Sequence, residues 1–240
     1  KEFFTMTSHS EMLNGWMVKP AHFDANRKYP VILYQYSGPK SQEVLDKWGV
    51  GMQGGGACLE EYLAQQGFIV ACVDGRGTGG RGEEFSDCTY LRLGIKEAED
   101  QNEVARYMAS LPYVDKYNIG IWGWSYGAYC TLMSLTEENS IFKAGVAVAP
   151  VTDWKYYDTI YGERFMRTPK ENGDGYKASS AFTRAGNLKA KLLIMHGLAD
   201  DNVHFQNTAE YGEELVQLGK QYDQQVYNNR NHSIYGGNTR

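Results

Sequence analysis

The chain has 240 residues, enough to bury a substantial core and suited to one large domain rather than two ordinary ones. A formal net charge of −5, with no run of Lys and Arg to offset it, argues against a nucleic-acid partner. No apolar stretch approaches the ~20 residues that a membrane-spanning helix needs.

Met12 to Lys19 carries an Asn-Gly pair in a mixed apolar segment, compatible with an edge strand or one arm of a hairpin. Tyr29-Pro30 introduces a β-rich run, Val31 to Tyr36, that stops at Ser37-Gly38-Pro39. Leu59 to Gln66 reads as a helix closed by Gly67, and Phe68 to Val73 as a strand covered on both faces. Lys96 to Leu111 predicts an amphipathic helix, with Val104, Tyr107, Met108 and Leu111 at helical spacing and Pro112 just beyond. Tyr117 to Trp122, Lys143 to Ala149, Lys191 to His196 and Gln224 to Tyr227 are further strands, and Thr208 to Leu218 is a helix. Asn172-Gly173-Asp174-Gly175 reads as a flexible loop. No repeat or low-complexity tract interrupts this alternation. Strands alternating with helices predict an α/β fold, a mostly parallel central sheet with helices on both faces. Cys72 and Cys130 fall in apolar segments and read as buried free thiols, and no Cys-x-x-Cys or other metal-binding spacing occurs.

Gly123-Trp124-Ser125-Tyr126-Gly127 follows one predicted strand directly and leads into a helix-compatible stretch from Ala128. A Gly-x-Ser-x-Gly pentapeptide in that position forms a sharp elbow that lifts the serine hydroxyl clear of the sheet. An aliphatic hydroxyl is a poor nucleophile at neutral pH, so Ser125 needs a base from another loop. His9 and His22 precede the first sheet strands. His196 sits at a strand end before the acidic candidates and reads as structural. His204 reads as a helix-start or pocket-wall residue. His232, in the loop after the last strand, remains. Asp200 is favoured over Asp201 as the acid that orients the imidazole, with Asp201 left to cap or charge the next helix. Ser125, Asp200 and His232 then stand in the chain order of an α/β-hydrolase triad, and the chain reads as a serine hydrolase.

One oxyanion donor is the backbone N–H of Tyr126, directly after the serine. The second should come from the loop after an early strand, where the Tyr36 hydroxyl is available; on sequence alone Tyr36 serves equally well as a packed core tyrosine. Gly75 to Gly80 invites a nucleotide reading, but its spacing is not Gly-x-Gly-x-x-Gly and the loop runs on through Arg81-Gly82 without an immediate helix. Gly51 to Gly56 lacks the Lys-Ser or Lys-Thr of a phosphate loop. No cofactor and no metal are implied.

Gly-Trp-Ser-Tyr-Gly at 123–127 resembles the nucleophile motif of the prolyl oligopeptidase family, above all its dipeptidyl peptidase IV branch of bacterial type. Val73-Asp74-Gly75-Arg76-Gly77, Val148-Ala149-Pro150-Val151 and the stretch from His196-Gly197 through Asp200-Asp201-Asn202-Val203-His204-Phe205 are similar to further blocks of that branch. The resemblance implies that Ser125, Asp200 and His232 are the triad and that the Tyr36 hydroxyl helps hold the oxyanion. It implies that Val151, Trp154, Tyr157 and Tyr161 line a pocket for proline or alanine before the scissile bond. Asn202 would contact a substrate carbonyl, with Val203 beside it. Flat aromatic faces suit a rigid pyrrolidine ring. The implied substrates are peptides with Pro or Ala at the second position. The branch points to a periplasmic, cell-envelope or secreted compartment, and allows a homodimeric parent.

Ala128 departs from the second glycine often found after the motif, and Ala144 stands where some relatives carry a disulfide cysteine. Relatives also carry an N-terminal β-propeller that grips the substrate's amino end. These 240 residues read as the catalytic domain alone, cut at both ends and without the fold's last covering helix. The expectation is a piece that folds with a bare apolar flank, a mobile or displaced His232 loop and little activity by itself. Competing readings are an acylaminoacyl peptidase or esterase on the same fold, and a non-catalytic binding module.

Overall fold

The chain is described here by a computed structural model covering residues 1–47 and 58–236. The glycine-rich stretch 51–56 lies outside the described residues. In chain order the elements are β1 (Glu2–Ser8), β2 (Glu11–Val18), β3 (Tyr29–Tyr34), α1 (Leu59–Gln65), β4 (Ile69–Asp74), α2 (Glu83–Asp87) and α3 (Ile95–Ser110). There follow β5 (Val114–Trp124), α4 (Tyr126–Leu135), β6 (Ala144–Val148), α5 (Thr159–Met166), α6 (Gly173–Ala178), β7 (Lys191–Gly197), α7 (Gln206–Gln217) and β8 (Asp223–Tyr227). Among the described residues, eight strands form one sheet in the order β1-β2-β4-β3-β5-β6-β7-β8. β2 runs antiparallel to both neighbours, and β3 to β8 are parallel.

Strand alternation sorts side chains to two faces. Val31, Leu33, Ile69, Ala71, Ile119 and Ile121 point into a core closed by Val104 and Met108 of α3 and by Ala128 and Leu132 of α4. Trp16, Tyr34, Val70, Cys72 and Trp122 face the other way, against Ala64 of α1. Helices thus cover both faces, and the structure is the α/β-hydrolase arrangement expected. On the second face an apolar groove of about 870 Å³, lined by Ile32, Leu63, Trp122, Val146, Met195 and Tyr227, runs beside α1. It contains none of Ser125, Asp200 and His232.

Three local expectations are corrected in whole or in part. Of the two readings of Met12 to Lys19 the hairpin arm is the one observed: β2 pairs with β1 through a two-residue turn at His9-Ser10, and with β4 on its other side it is an interior strand rather than an edge. Both turn residues have positive φ, 46° and 73°, as a type I′ turn demands, but neither is the Asn or Gly that would announce one. Residues 172–175, expected as a flexible loop, open helix α6 instead, with Asn172 Nδ2 donating to the carbonyls of Leu91 and Met166. These tertiary anchors outweigh the poor helix propensity of glycine. The strand expected to reach Tyr36 ends at Tyr34. The loop after β4 runs through Arg81-Gly82 before α2 begins at Glu83, so no helix opens directly on Gly75 to Gly80. The loop is tied inward, its Arg76 backbone N–H and guanidinium bonded to Asp100 of α3.

Candidate active site

Ser125 occupies the turn between β5 and α4 at φ 59° and ψ −117°, a conformation L-residues rarely adopt. Its N–H donates to the Val148 carbonyl at the end of β6 (2.8 Å), which holds the turn against the neighbouring strand. A Cβ on Gly127 would collide with the Gln35 carbonyl oxygen, and one on Gly123 would stand 2.5 Å from the Gly127 backbone. The two glycines therefore let the elbow close on the loop after β3. That loop brings Tyr36 beside Tyr126, ring centroids 6.0 Å apart. Tyr126 is the first residue of α4, where an N–H has no partner within its own helix. Among the described residues the Ser125 hydroxyl has no hydrogen bond, to His232 or to any other group.

β7 and β8 are parallel neighbours, so the loops that follow them rise at the same end of the sheet. The Leu198 and Ala199 N–H groups donate to the carbonyls of Tyr227 and Arg230, joining the two loops. His232 Nδ1 lies 2.7 Å from Asp200 Oδ2. Asp200 Oδ1 accepts from the backbone N–H groups of Asn202 (3.0 Å) and Val203 (2.9 Å). Burial alone would raise this carboxyl's pKa, but hydrogen bonds from His196 and His232, with the His232 charge and the Asn202 N–H, hold it well below the usual carboxylate range. The Trp124 indole N–H donates to the His232 carbonyl at 2.9 Å, so the elbow itself anchors the histidine loop. The displacement expected for His232 is therefore not seen. Asp201 is exposed, and α7 begins at Gln206 after Phe205 without a side-chain cap. The capping role expected of Asp201 is thus corrected as well. His204 lies just before α7 and lines a polar cavity of about 380 Å³ with Lys155, Tyr157, Asp158 and Asn202.

In the aromatic segment after β6, Asp153, Lys155 and Asp158 break both helical and strand period, a pattern foreign to a core segment. Trp154 is in fact 2% exposed. The period breaks because a 3₁₀ turn, Trp154–Tyr156, precedes α5, and the aspartates cap the two: Asp153 accepts from the Lys155 N–H and Asp158 from the Tyr161 N–H. Trp154 packs between Tyr126, Tyr129, Tyr157 and Tyr161, stacked on the last at 5.6 Å. Tyr157 and Tyr161 remain half-exposed, while Val151 and Val203 are buried behind them. The Tyr157 hydroxyl donates to Asn202 Oδ1 at 2.7 Å. Burial, with the nearby Tyr157 and Glu43, pushes the Tyr36 phenol up to about 12, so it keeps its proton and can donate.

Two contacts escaped the sequence reading. Glu97 of α3, fully buried, accepts from the Tyr126 hydroxyl at 2.7 Å, and burial pushes its carboxyl up to about 7 against that bond. A signal existed, since Glu97 shares a helix stripe with Gln101, Val104 and Met108. His196 touches Asp200, a contact set by the shape of an irregular turn and invisible to periodicity.

The model of the prolyl oligopeptidase family matches residues 59–240. The chain is 48% identical over 227 residues to a protein of Pyrenophora teres f. teres named "Probable dipeptidyl-aminopeptidase B", covering 93% of this chain and 24% of that protein. It is 46% identical over 222 residues to the protein of the same name from Fusarium vanettenii, covering 90% of this chain and 24% of that one. The crystal structure of Porphyromonas gingivalis dipeptidyl peptidase 4 superposes with a TM-score of 0.94 at 56% identity, covering 99% of this chain and 33% of that one. The chain therefore spans about a quarter of the length of the curated relatives it matches.

Proposed function

The chain belongs to the prolyl oligopeptidase family, and from that premise we propose that it is the catalytic domain of a serine peptidase releasing N-terminal dipeptides that end in proline or alanine. The observation that carries this reading is the convergence of three loops at one end of the sheet. The strained Ser125 elbow, the Asp200 turn after β7 and the His232 loop after β8 are joined by the His232–Asp200 and Trp124–His232 hydrogen bonds. The names of the relatives support the dipeptide-releasing mode.

With Nδ1 donating to Asp200, His232 presents Nε2 as the base. Ser125 Oγ attacks the carbonyl carbon while Nε2 takes its proton, giving a tetrahedral oxyanion. The Tyr126 N–H and the Tyr36 hydroxyl donate to that oxyanion. Collapse expels the amine, which receives the proton from His232. Water then attacks the acyl-enzyme by the same route and frees the dipeptide. Val151, Trp154, Tyr157 and Tyr161 form the pocket for the residue before the cut, and Asn202, with Val203 behind it, turns toward a substrate carbonyl.

Tyr36→Phe removes one hydroxyl and almost no volume, so kcat should fall by roughly 10²–10³ with folding intact. A kcat within about twofold of wild type would make Tyr36 a packing residue. Tyr161→Ala takes away the ring stacked on Trp154 and widens the pocket. Loss of kcat/KM should then be larger for a Gly-Pro than for a Gly-Phe reporter, because a missing contact matters most to the ligand it fitted. An equal loss for both would indicate a defect in folding or in the oxyanion site. The same assay decides the mode: preferred turnover of acetyl-Ala or simple ester substrates by the full-length protein would favour the acylaminoacyl peptidase or esterase reading.

A further inference from the structure

Asp200 holds a second imidazole. His196, near the end of β7, has no exposed surface, and its ring meets Phe205 edge-on at 5.5 Å. His196 Nε2 lies 3.1 Å from Asp200 Oδ2 and 2.8 Å from the Val203 carbonyl oxygen. Nδ1 lies 2.7 Å from Thr208 Oγ1. An ionised carboxylate and a carbonyl only accept, so Nε2 carries the proton. In the neutral ring Nδ1 is then the acceptor, and the Thr208 hydroxyl donates to it.

We propose that His196 is a positioning residue of the proton relay, sharing Asp200 Oδ2 with His232 and so fixing both the rotation of the carboxylate and the negative charge it offers to the catalytic imidazole. The inference rests on the reading of Ser125, Asp200 and His232 as the triad. With the Asn202 and Val203 N–H groups on Oδ1 and two imidazoles on Oδ2, the carboxylate makes four hydrogen bonds and has no freedom to swing. A ring needed only to fill this space would be better served by an apolar residue, because a buried imidazole must find partners for both nitrogens. His196 finds them, and one is the triad acid. The titratable groups facing Asp200 are His196 from β7, His232 from the loop after β8, and Tyr157 from the segment before α5, whose hydroxyl feels the carboxylate's charge. Without the His196 donor, the charge on Oδ2 falls undivided on His232 and stabilises its cation. The acid limb of kcat/KM should then move to higher pH.

Two substitutions separate this role from packing. His196→Gln sets an amide N–H near the position of Nε2, within reach of Asp200, and gives up the Thr208 bond. His196→Asn places its amide near Nδ1, keeping Thr208 and losing Asp200. The full-length enzyme is measured per active site, counted with a fluorophosphonate, across the pH range and alongside its Tm. For His196→Asn the acid limb should rise by about half a pH unit, a threefold change in proton affinity, with kcat down roughly tenfold and KM little changed. For His196→Gln the limb should stay at the wild-type position. The reverse order, or wild-type limbs in both with only Tm lowered, would overturn the proposal and leave His196 a packing residue tied to Thr208. If His196→Asn yields no folded enzyme, His196→Leu, which fills the space without a donor, takes its place: a raised limb supports the role and an unmoved one overturns it. Failure of the triad reading shows separately, as a wild-type enzyme that the probe does not label at Ser125.

Discussion

Ser125→Ala is expected to abolish labelling by a fluorophosphonate probe and to lower kcat by about 10⁶-fold in the full-length enzyme. The size follows from the mechanism: with no hydroxyl there is no acyl-enzyme, and His232 and Asp200 have no nucleophile to activate. What activity survives comes from the oxyanion donors and substrate binding acting on water. The substitution should leave the fold alone. Ser125 is already a residue with a Cβ at φ 59°, so alanine adds no new backbone strain. Its hydroxyl has no hydrogen bond among the described residues, so deletion strands no buried partner. In wild type the adduct should map to Ser125 by mass spectrometry. Labelling that survives in the alanine variant would place the nucleophile elsewhere.

Asp200→Asn should cost about 10⁴ in kcat/KM, because the surroundings dictate how the amide must sit. The side facing the Asn202 and Val203 N–H groups has to accept, so the amide oxygen goes there. Its NH₂ is then turned toward His232 and His196. His232 can meet a donor at Nδ1 only by moving its proton to Nε2, and in that tautomer it cannot take the proton of Ser125. The same NH₂ confronts the Nε2–H of His196, which has to relinquish either that proton or its bond to the Val203 carbonyl. A stability loss of roughly 1–3 kcal/mol, seen as a lowered Tm, should accompany the loss of rate. Asp201→Asn, one residue along on an exposed bend, should change kcat/KM by less than about twofold. Comparable losses in the two variants would refute the choice of Asp200 as the acid.

The residues differ in how far their roles can be read before folding. A chain segment's periodicity is a property of neighbours within ten or so positions, and it determined β3 to β8 and the main helices to within a few residues. The elbow was legible for the same reason. Gly123 answers a local demand, the approach of the Gly127 backbone, and a serine between two glycines has few other uses at the junction of strand and helix, whereas Gly127 makes room for the Gln35 carbonyl, 92 positions away. Chain order did the rest, because parallel strands deliver their following loops to one end of the sheet, so the loops that carry Ser125, Asp200 and His232 lie at that end. The tertiary structure alone decided what depends on partners distant in sequence. The elbow's Trp124 anchors a histidine 108 positions away, and β1 docks on α3 through Ser8 and Asp100, 92 positions apart. Trp154 is buried and α6 is helical because of rings and carbonyls contributed by other segments. His196 shows the division within four residues. Its identity and its strand were plain from the sequence, but an irregular turn has no period, so only the folded chain could aim its Nε2–H at the carboxylate that also holds His232.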